Sequence, residues 1–530
     1  MRETLIRTIA CCLVVLGAMP AAAIEPIEDL QWLFIEDTVA LISPPTEAAA
    51  THARELMERA ATARGEGKLS EMRRALAEAR VVLAAEEWTA ASAFVASLAI
   101  RPHETVIDAD EGATVEIGQY FQVAPPSAEA LTFEIGTRLW KARPPFSHDI
   151  TWRVSVRSRQ TDFAENPLVV QLPTALLADG VYDVVIRAVQ SDQPLGTSAR
   201  RIFVAHGLRR DLDLITQRAA KMQMSDSLKA SIAYPIDVVK GLNARTRQVR
   251  NFDPRAAIDR SLALLDAVEK GSDPLTRSKG SSERHYWLAE SERYEPYRLI
   301  IPQSWDGTSK LPLVVTLHGS NGDHDSVLAN QALVAEADRR GYALLSPMGY
   351  SPNSGWGTHL PVVLANGTMP RPRPSTIGGI VLPRDGVDPE PAERDVLRTL
   401  ELVQAEYPID TQRIYLMGNS MGGEGTWHLG SRYPHLWAAI APAAGAIDPK
   451  NYPVESLGRL PVLAVHGDKD PIISHAASRE MIERLQGAKG NGRLLTVKGG
   501  GHDAVNTVLA DVFDFFSKHR RRDNAVITTR

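Results

Sequence analysis

The sequence predicts an α/β domain with a mostly parallel sheet in its C-terminal part, preceded by helical segments and a β-sandwich. Short apolar runs alternate with amphipathic stretches from about residue 283 to 519. Between about 93 and 205 the apolar residues repeat with a period of two, and the flanking segments have helical spacing. Continuous apolar strands separated by helices are typical of a parallel sheet that is covered on both faces.

The composition narrows the class of protein. A chain of 530 residues is too long for one ordinary domain. Its 44% hydrophobic and 23% charged residues exclude a wholly disordered, collagen-like or coiled-coil protein, and a net charge of −5 gives no general reason to expect a nucleic-acid partner. The two cysteines are Cys11 and Cys12, so the rest of the chain has no thiol nucleophile, thiolate zinc site or disulfide.

Residues 1–23 have the pattern of a secretory signal peptide. Arg2 and Arg7 form a basic start, an apolar run occupies 9–16, and alanines at 21–23 offer a cleavage site. The apolar run is too short for a permanent transmembrane helix, and an uncleaved anchor is the alternative interpretation. No later segment approaches 18 consecutive apolar residues. We therefore expect a soluble mature chain without a membrane span, secreted or periplasmic.

Three segments lie between this signal and the α/β domain. Residues 24–92 and 206–275 have apolar side chains at helical spacing, which predicts helices. Residues 93–205 hold short alternating runs separated by Pro, Gly and Asp turns, which favours a β-sandwich of the immunoglobulin-like kind. A linker and the first strand are assigned to 276–296, and the basic tail at 520–530 is expected to be a solvated end.

The α/β domain itself is assigned to residues 297–519. Strands are predicted at 297–301, 313–317, 342–346, 413–417, 437–442, 462–465 and 494–497. Helices are predicted at 326–340, 392–406, 421–431, 475–486 and 503–518. The stretch 350–391 is rich in proline and glycine, which indicates an irregular excursion, and loops of this length are usually functional or disordered.

A candidate nucleophile follows the predicted strand 413–417. The motif Gly418-Asn419-Ser420-Met421-Gly422 opens a helix, and its glycines allow the close backbone approach that a strained turn at Ser420 needs. A bare G-x-S-x-G pattern is weak evidence. The strand before it and the helix after it make it typical of a nucleophilic serine, and the alternative is a serine that caps the helix.

A serine hydroxyl needs a base to remove its proton, and that base needs a carboxylate to orient it. His502, in the glycine-rich loop after the last predicted strand, is the candidate base, and a surface-loop histidine is the alternative. Asp470 is the candidate carboxylate. Asp468 is less favoured, because it directly follows a glycine at a position where it can close the turn.

Acyl transfer also requires N–H donors where negative charge develops on the substrate oxygen. The amide of Met421 is one candidate, because it starts the helix after the nucleophile. The second is expected in the loop after residues 313–319, where Ser320 is preferred to Gly319. His318 and His466 each precede a glycine at a strand end, and we interpret both as structural histidines.

Other polar and aromatic residues are weaker candidates. Trp356, in the irregular stretch, is predicted to contact substrate, with a packed loop tryptophan as an equal alternative. Asp323, His324 and Asp325 include metal-ligand types, but three consecutive residues cannot all converge on one ion without special backbone, so we expect a polar loop and assign no metal site. The chain has no phosphate-binding glycine loop and no dinucleotide motif, so no cofactor is expected.

Residues 297–518 resemble the α/β-hydrolase superfamily, in particular the secreted serine esterases that include feruloyl and acetylxylan esterases, poly(hydroxyalkanoate) depolymerases and predicted peptidases. The motifs are L-H-G-S (317–320), G-N-S-M-G-G-E-G-T-W (418–427), R-Y-P-H-L-W-A-A-I-A-P (432–442), H-G-D-K-D-P-I (466–472) and G-G-H-D (500–503). The resemblance covers under half the chain. It implies the α/β-hydrolase fold and a triad of Ser420, Asp470 and His502, in the Ser–Asp–His chain order of that superfamily.

The sequence thus predicts an exported, cofactor-independent carboxylic-ester hydrolase that works through an acyl-enzyme intermediate. Family analogy alone suggests acylated plant polysaccharides, phenolic esters or polyesters as substrates. One alternative is a serine peptidase of the prolyl-oligopeptidase type, because the same machinery cleaves amides. The other is a carbohydrate-binding or adhesion protein in which the β-sandwich acts and the hydrolase domain is idle.

Overall fold

The computed structural model describes residues 45–521, apart from 141–148, 248, 250, 251, 359, 361, 366, 370–374, 378, 379, 383–390 and 446. The predicted signal peptide and residues 522–530 of the tail lie outside the described residues. The chain forms two compact units. One runs to Leu208 and includes Leu242–Thr246, and the other contains Arg209–Gly241 and the chain from Arg247 onward. Within the described ranges, no helix is both long and apolar enough to cross a membrane.

The first unit begins with helices and continues with strands. Its helices are α1 (Glu47–Gly65), α2 (Leu69–Leu83) and α3 (Ala90–Ser97). Its strands are β1 (Leu98–Pro102), β2 (Val106–Asp108), β3 (Ala113–Gln119), β4 (Leu131–Leu139), β5 (Thr151–Ser158), β6 (Leu168–Leu172), β7 (Gly180–Gln190) and β8 (Gln193–Ala205).

These strands form two sheets, with the orders β1-β3-β6 and β2-β8-β7-β4-β5. Side chains from both sheets meet in one apolar core, to which β3 contributes Ile117, β4 contributes Phe133 and β7 contributes Val184. The period-two alternation of these strands places every second side chain on the core side. The immunoglobulin-like sandwich assigned to residues 93–205 stays a prediction.

The second unit contains a large sheet and the helices that cover it. Its helices are α4 (Leu208–Ala219), α5 (Asp226–Asn243), α6 (Pro254–Glu269), α7 (Ser326–Ala329), α8 (Gln331–Arg340), α9 (Pro391–Glu406), α10 (Met421–Arg432), α11 (His475–Gly487) and α12 (Leu509–Ser517). The strands of the large sheet are β9 (Gly280–Leu288), β10 (Arg293–Ile301), β11 (Leu311–Leu317), β12 (Ala343–Pro347), β17 (Ile409–Asn419), β18 (Ala439–Ala443), β19 (Val462–Gly467) and β20 (Gly492–Val497).

The large sheet has the order β20-β19-β18-β17-β11-β12-β10-β9. The pairs from β12 to β20 are parallel, whereas β10 runs antiparallel to both β12 and β9. The carboxyl ends of β11, β17, β19 and β20 therefore lie along one edge of the sheet. This edge is where the sequence places its candidate catalytic residues, as expected for an open α/β sheet.

Both faces of the sheet are buried, as the continuous apolar runs predicted. Along β11, Leu313 and Val315 belong to one core cluster, which includes Val396 of α9. Val314 points to the other face and belongs to a second cluster, which includes Phe513 of α12. The mostly parallel sheet covered on both faces, which the sequence predicted for this part of the chain, is thus confirmed.

Two details go beyond the sequence prediction. Strand β9 lies within residues 276–296, the range assigned to a linker and the first strand, but its bounds were not predicted, because the polar residues Glu283, Arg284 and His285 interrupt its apolar pattern. The predicted irregular stretch 350–391 contains short strands, β13 (Val362–Leu364), β14 (Gly367–Met369), β15 (Ser375–Ile377) and β16 (Ile380–Leu382), paired as β13-β14 and β15-β16. Val362 and Leu364 of β13 are buried against Ile473.

The second unit contains a buried carboxyl group on α9. Asp395 of α9 has no exposed surface, and its oxygens accept hydrogen bonds from the Tyr286 hydroxyl, at 2.7 Å, and from the Gly349 amide. Burial raises the pKa of Asp395 to about 7, and the negative charge of Glu295 acts in the same direction. The folded chain therefore holds this proton over a pH range in which the unfolded chain has released it.

We expect this group to make the protein less stable as the pH rises from about 4 to about 7, because ionisation leaves a charge in the buried site. Asp395→Asn is neutral at every pH. The free energy of unfolding of Asp395→Asn minus that of wild type should therefore increase from about pH 4 to about pH 7. The increase should be roughly 1.4 kcal/mol for each unit by which folding raises the pKa of Asp395. Denaturant unfolding at about pH 5 and about pH 8 measures the difference. Asp213→Asn, at an exposed helical position, is the control. If the difference in free energy of unfolding between Asp395→Asn and wild type does not change with pH, the expectation is contradicted.

Candidate active site

Ser420 lies in a strained turn between β17 and α10. Its φ of 59° and ψ of −123° are unusual for a residue other than glycine. Gly422 makes the turn possible, because a Cβ atom there would lie 2.1 Å from the carbonyl oxygen of Leu317. The Ser420 side chain makes no capping hydrogen bond to α10, so the geometry does not favour the helix-cap alternative.

Asp470 and His502 are brought together by the loops after β19 and β20. The Nδ1 atom of His502 lies 2.9 Å from Oδ2 of Asp470. The other carboxylate oxygen accepts hydrogen bonds from the amides of Ile472 and Ile473, at 2.8 and 3.1 Å. Both oxygens of the Asp470 carboxylate are therefore held by hydrogen bonds. The carboxylate in turn fixes the orientation of the imidazole of His502, which is half-buried in its loop.

The loop that carries His502 is also tied to the serine turn. The side-chain amide of Asn419, next to Ser420, donates a 2.9 Å hydrogen bond to Asp503, next to His502. The backbone N–H of Ser420 donates to the carbonyl of Ala443 at the end of β18, at 3.0 Å. These contacts bring the three candidate residues to the same edge of the sheet.

Asp468 has a different place from Asp470. Its Oδ1 accepts a 2.6 Å hydrogen bond from the backbone amide of Gly499, in the turn after β20. This is the turn-closing geometry that made Asp468 the less favoured carboxylate in the sequence. The Asp468 carboxylate thus joins two loops, whereas the Asp470 carboxylate contacts the imidazole of His502.

His466 shares the Asp470 carboxylate, a contact that the sequence analysis missed. Its Nε2 lies 3.1 Å from the same Oδ2 atom that contacts His502, and its Nδ1 lies 2.7 Å from the Ser478 hydroxyl. The sequence signal for this contact was the four-residue spacing between His466 and Asp470 in H-G-D-K-D, because the turn between them brings the two side chains together. His466 is structural, as predicted, but it acts directly on the candidate carboxylate.

These contacts decide the charge of Asp470. Burial alone would raise the pKa of its carboxyl group, but the hydrogen bonds from His466, His502 and the two isoleucine amides together lower it well below its usual range. The carboxylate is therefore ionised across the physiological pH range. An ionised acceptor at this position favours the His502 tautomer that carries its proton on Nδ1 and leaves Nε2 free to accept one.

The candidate oxyanion donors flank the serine. The amide of Met421 lies at the start of α10, where helix N–H groups have no partner within the helix. The loop after β11 passes close to the turn, since a Cβ atom on Gly319 would lie 3.7 Å from Cβ of Ser420. Ser320 follows in an exposed turn position. The two predicted amides thus come from loops that meet at Ser420.

Trp356 requires a correction. Its side chain has no exposed surface, and its indole N–H donates a 3.1 Å hydrogen bond to the carbonyl of His318. The ring packs so closely on α10 that a Cβ atom on Gly425 would lie 2.5 Å from it. The predicted substrate contact is therefore wrong, because the ring is sealed inside the unit. Its role is to support the segment that leads into the Gly319 loop.

Comparisons with known proteins bear on the same region. Residues 393–520 match the family model described as phospholipase/carboxylesterase. A bifunctional acetylxylan esterase/xylanase of Neocallimastix patriciarum is 28% identical over 165 residues, which are 31% of this chain and 20% of that protein. Feruloyl esterase B of Neurospora crassa is 27% identical over 137 residues, 26% of this chain and 40% of that protein. These matches confirm the resemblance to the α/β-hydrolase esterases.

The matches are partial. The chain spans less than half the length of these two relatives. A solved structure of a thermostable esterase aligns with 80% of this chain and 99% of its own, at 16% identity and a TM-score of 0.36, which is too slight a likeness to bear on function.

Proposed function

We propose that this protein is a carboxylic-ester hydrolase with Ser420 as nucleophile, His502 as general base and acid, and Asp470 as the group that orients His502. The observation that carries the proposal is the hydrogen-bonded Asp470–His502 pair on the sheet edge that also holds the strained Ser420 turn. A serine, a histidine and a carboxylate in these relations are the machinery of acyl transfer.

The reaction follows from these roles. Nε2 of His502 takes the proton of the Ser420 hydroxyl while the serine oxygen bonds to the ester carbonyl carbon. When the tetrahedral intermediate collapses, the C–O bond to the alcohol breaks, and His502 returns the proton to the departing alkoxide oxygen. Water then repeats the cycle on the acyl-enzyme, with His502 as base, and releases the carboxylic acid and free Ser420.

The backbone amides of Met421 and Ser320 are assigned the role of stabilising the negative charge that develops on the carbonyl oxygen of the substrate. Both are backbone groups, so their direction is set by the fold before substrate arrives. The start of α10 adds the positive end of a helix dipole at the same place. Loss of one such donor typically costs about 3–4 kcal/mol of activation free energy.

For the substrate we propose acetyl or feruloyl esters of polysaccharides, with polyesters as a second class. The support comes from the similarity to an acetylxylan esterase/xylanase and to a feruloyl esterase, and from the motifs of the C-terminal domain. The signal-like residues 1–23 support a secreted or periplasmic location for this enzyme.

The test is turnover by the full chain of p-nitrophenyl acetate, methyl ferulate and an anilide with the same acyl group as the acetate. We expect the esters to be hydrolysed far faster than the anilide. Anilide hydrolysis at the ester rate would favour the peptidase alternative. A chain that hydrolyses none of the three substrates but binds insoluble polysaccharide would favour the carbohydrate-binding alternative.

A further inference from the structure

A second cluster of ligand-type side chains lies away from the candidate triad, at the β9 edge of the large sheet. Glu283 and His285 are two residues apart on β9, so their side chains share one face of the strand. His324 and Asp325 lie in the loop after β11. One oxygen or nitrogen atom each of Glu283, His324 and Asp325 lies within 4.8 Å of the others.

The spacing of the atoms is that of ligands around a metal ion. Oε1 of Glu283 lies 3.3 Å from Nε2 of His285 and 3.5 Å from Nε2 of His324, and the latter lies 3.4 Å from Oδ1 of Asp325. Two ligand atoms bound tetrahedrally to zinc, each at about 2.0–2.1 Å, are about 3.3–3.4 Å apart. Direct hydrogen bonds between such atoms are shorter, with a mode of about 2.9–3.0 Å.

The imidazoles are buried, yet their Nε2 atoms lack hydrogen-bond partners among the described residues. His285 is only 1% exposed and His324 only 8%. In the part of the chain that the structure describes, Nε2 of neither ring makes a hydrogen bond to a protein atom, although a carboxylate oxygen lies nearby. In a tetrahedral shell, the direction from a ring nitrogen to the next ligand atom lies about 35° away from its direction to the metal. The oxygen can therefore lie close to the ring nitrogen and still be poorly placed to accept a hydrogen bond from it.

The surroundings fix the rings and carboxylates as they do around bound metals. Nδ1 of His285 lies 3.2 Å from the Ser231 hydroxyl, which leaves Nε2 directed at Glu283. Arg298 donates two hydrogen bonds to Oδ1 of Asp325, the same oxygen that faces His324, from Nε at 2.8 Å and from Nη2. Its Nη2 also lies 3.4 Å from Oε2 of Glu283.

We propose that Glu283, His285, His324 and Asp325 form a binding site for one divalent transition-metal ion of the zinc class. Two imidazoles and two carboxylates suit zinc or cobalt and do not suit calcium or magnesium, which prefer an all-oxygen shell. Four protein ligands close a tetrahedral shell, so the ion is structural. It joins β9 to the loop that begins at Ser320, and thereby stabilises the segment that carries a proposed oxyanion donor.

Two of these groups, His324 and Asp325, were visible in the sequence only as part of a polar loop. Asp323, His324 and Asp325 are consecutive, and a single ion cannot use all three. The structure removes this objection, because the cluster contains Glu283 of β9 and not Asp323. His285, also on β9, adjoins the cluster through its 3.3 Å distance to Oε1 of Glu283. Arg260 contacts the outer oxygen of Glu283, so that the carboxylate is held on both sides.

The test is metal binding by the full chain, measured in two ways. Protein purified without chelators should contain about one zinc per chain by elemental analysis. After removal of that zinc with dipicolinate, titration with Co²⁺ should give the visible absorption of tetrahedral cobalt and saturate at about one equivalent. Glu283→Gln and His324→Gln should weaken Co²⁺ binding at least about tenfold.

Two controls separate this site from other causes. His103→Gln removes a surface histidine that lies 2.9 Å from Glu116, a histidine–glutamate pair without further ligands, and should bind Co²⁺ as wild type does. Ser420→Ala should also bind normally, because the proposed catalytic function and the metal site are separate. Zinc should raise the melting temperature of wild type and of both controls, and leave that of His324→Gln unchanged.

The proposal is overturned if chelated wild type takes up no Co²⁺ with a tetrahedral spectrum. It is also overturned if Glu283→Gln and His324→Gln bind Co²⁺ as tightly as His103→Gln does. Should a β9 variant fail to fold, the wild-type titration and the loop variant His324→Gln still decide the question.

Discussion

Replacing Ser420 by alanine is expected to lower kcat/KM for p-nitrophenyl acetate by at least about 10⁴-fold. The proposal makes the Ser420 oxygen the atom that bonds to the substrate, so its removal eliminates the acyl-enzyme route. The oxyanion amides remain, since they belong to the backbone of Met421 and Ser320. Substrate binding should therefore persist, and the loss should appear in kcat rather than in KM.

The matched control for this variant is Ser431→Ala. Ser431 lies at the other end of the same helix, α10, where its hydroxyl donates a 3.0 Å hydrogen bond to the carbonyl of His428. Its replacement should leave the rate close to that of wild type. If Ser420→Ala retains more than about a tenth of the wild-type rate with an unchanged fold, Ser420 is not the nucleophile.

Asp470→Asn is expected to cost about 10⁴-fold in kcat, nearly as much as the loss of the nucleophile. The amides of Ile472 and Ile473 require an acceptor at the Oδ1 position, so the asparagine NH₂ must occupy the Oδ2 position. There it faces Nδ1 of His502 and can bond only to a ring nitrogen without a proton. His502 then carries its proton on Nε2 and cannot accept the one from Ser420.

Asp468→Asn is the matched control, and it also decides which of the two aspartates is the catalytic carboxylate. Asparagine at 468 keeps a carbonyl oxygen for the Gly499 amide, so the loop contact survives and the rate should stay near that of wild type. A larger loss in Asp468→Asn than in Asp470→Asn would transfer the carboxylate role to Asp468. Steady-state rates at one pH suffice, because the Asp470 carboxylate is ionised across the physiological pH range.

Much of the large sheet and of the candidate site was predictable, because the information is local. The apolar run before Gly418, the glycines around Ser420 and the helix that follows all lie within one short stretch of sequence. The same holds for Asp470 and His502, each of which follows an apolar strand. Parallel strands bring their carboxyl ends to one edge, so local motifs become neighbours without any long-range information.

The features that were missed depend on contacts between distant segments. Trp356 looks like a binding residue in a proline-rich loop, and only the position of Gly425 on α10 shows that its ring is buried. His285 lies on β9, which the sequence placed only within the range 276–296, because polar residues interrupt its apolar pattern. Its proximity to His324 depends on the pairing of β9 with β10. This pairing cannot be inferred from the sequence of either segment alone.

The central claim is most directly tested by labelling the purified full chain with a fluorophosphonate and locating the adduct by peptide mass spectrometry. This reagent reacts with a serine oxygen only when a neighbouring base activates it. We expect one adduct, on Ser420, absent from Ser420→Ala and formed far more slowly in His502→Ala. A wild-type chain that carries no adduct on Ser420, or that labels equally fast when His502 is replaced, would contradict the proposed triad.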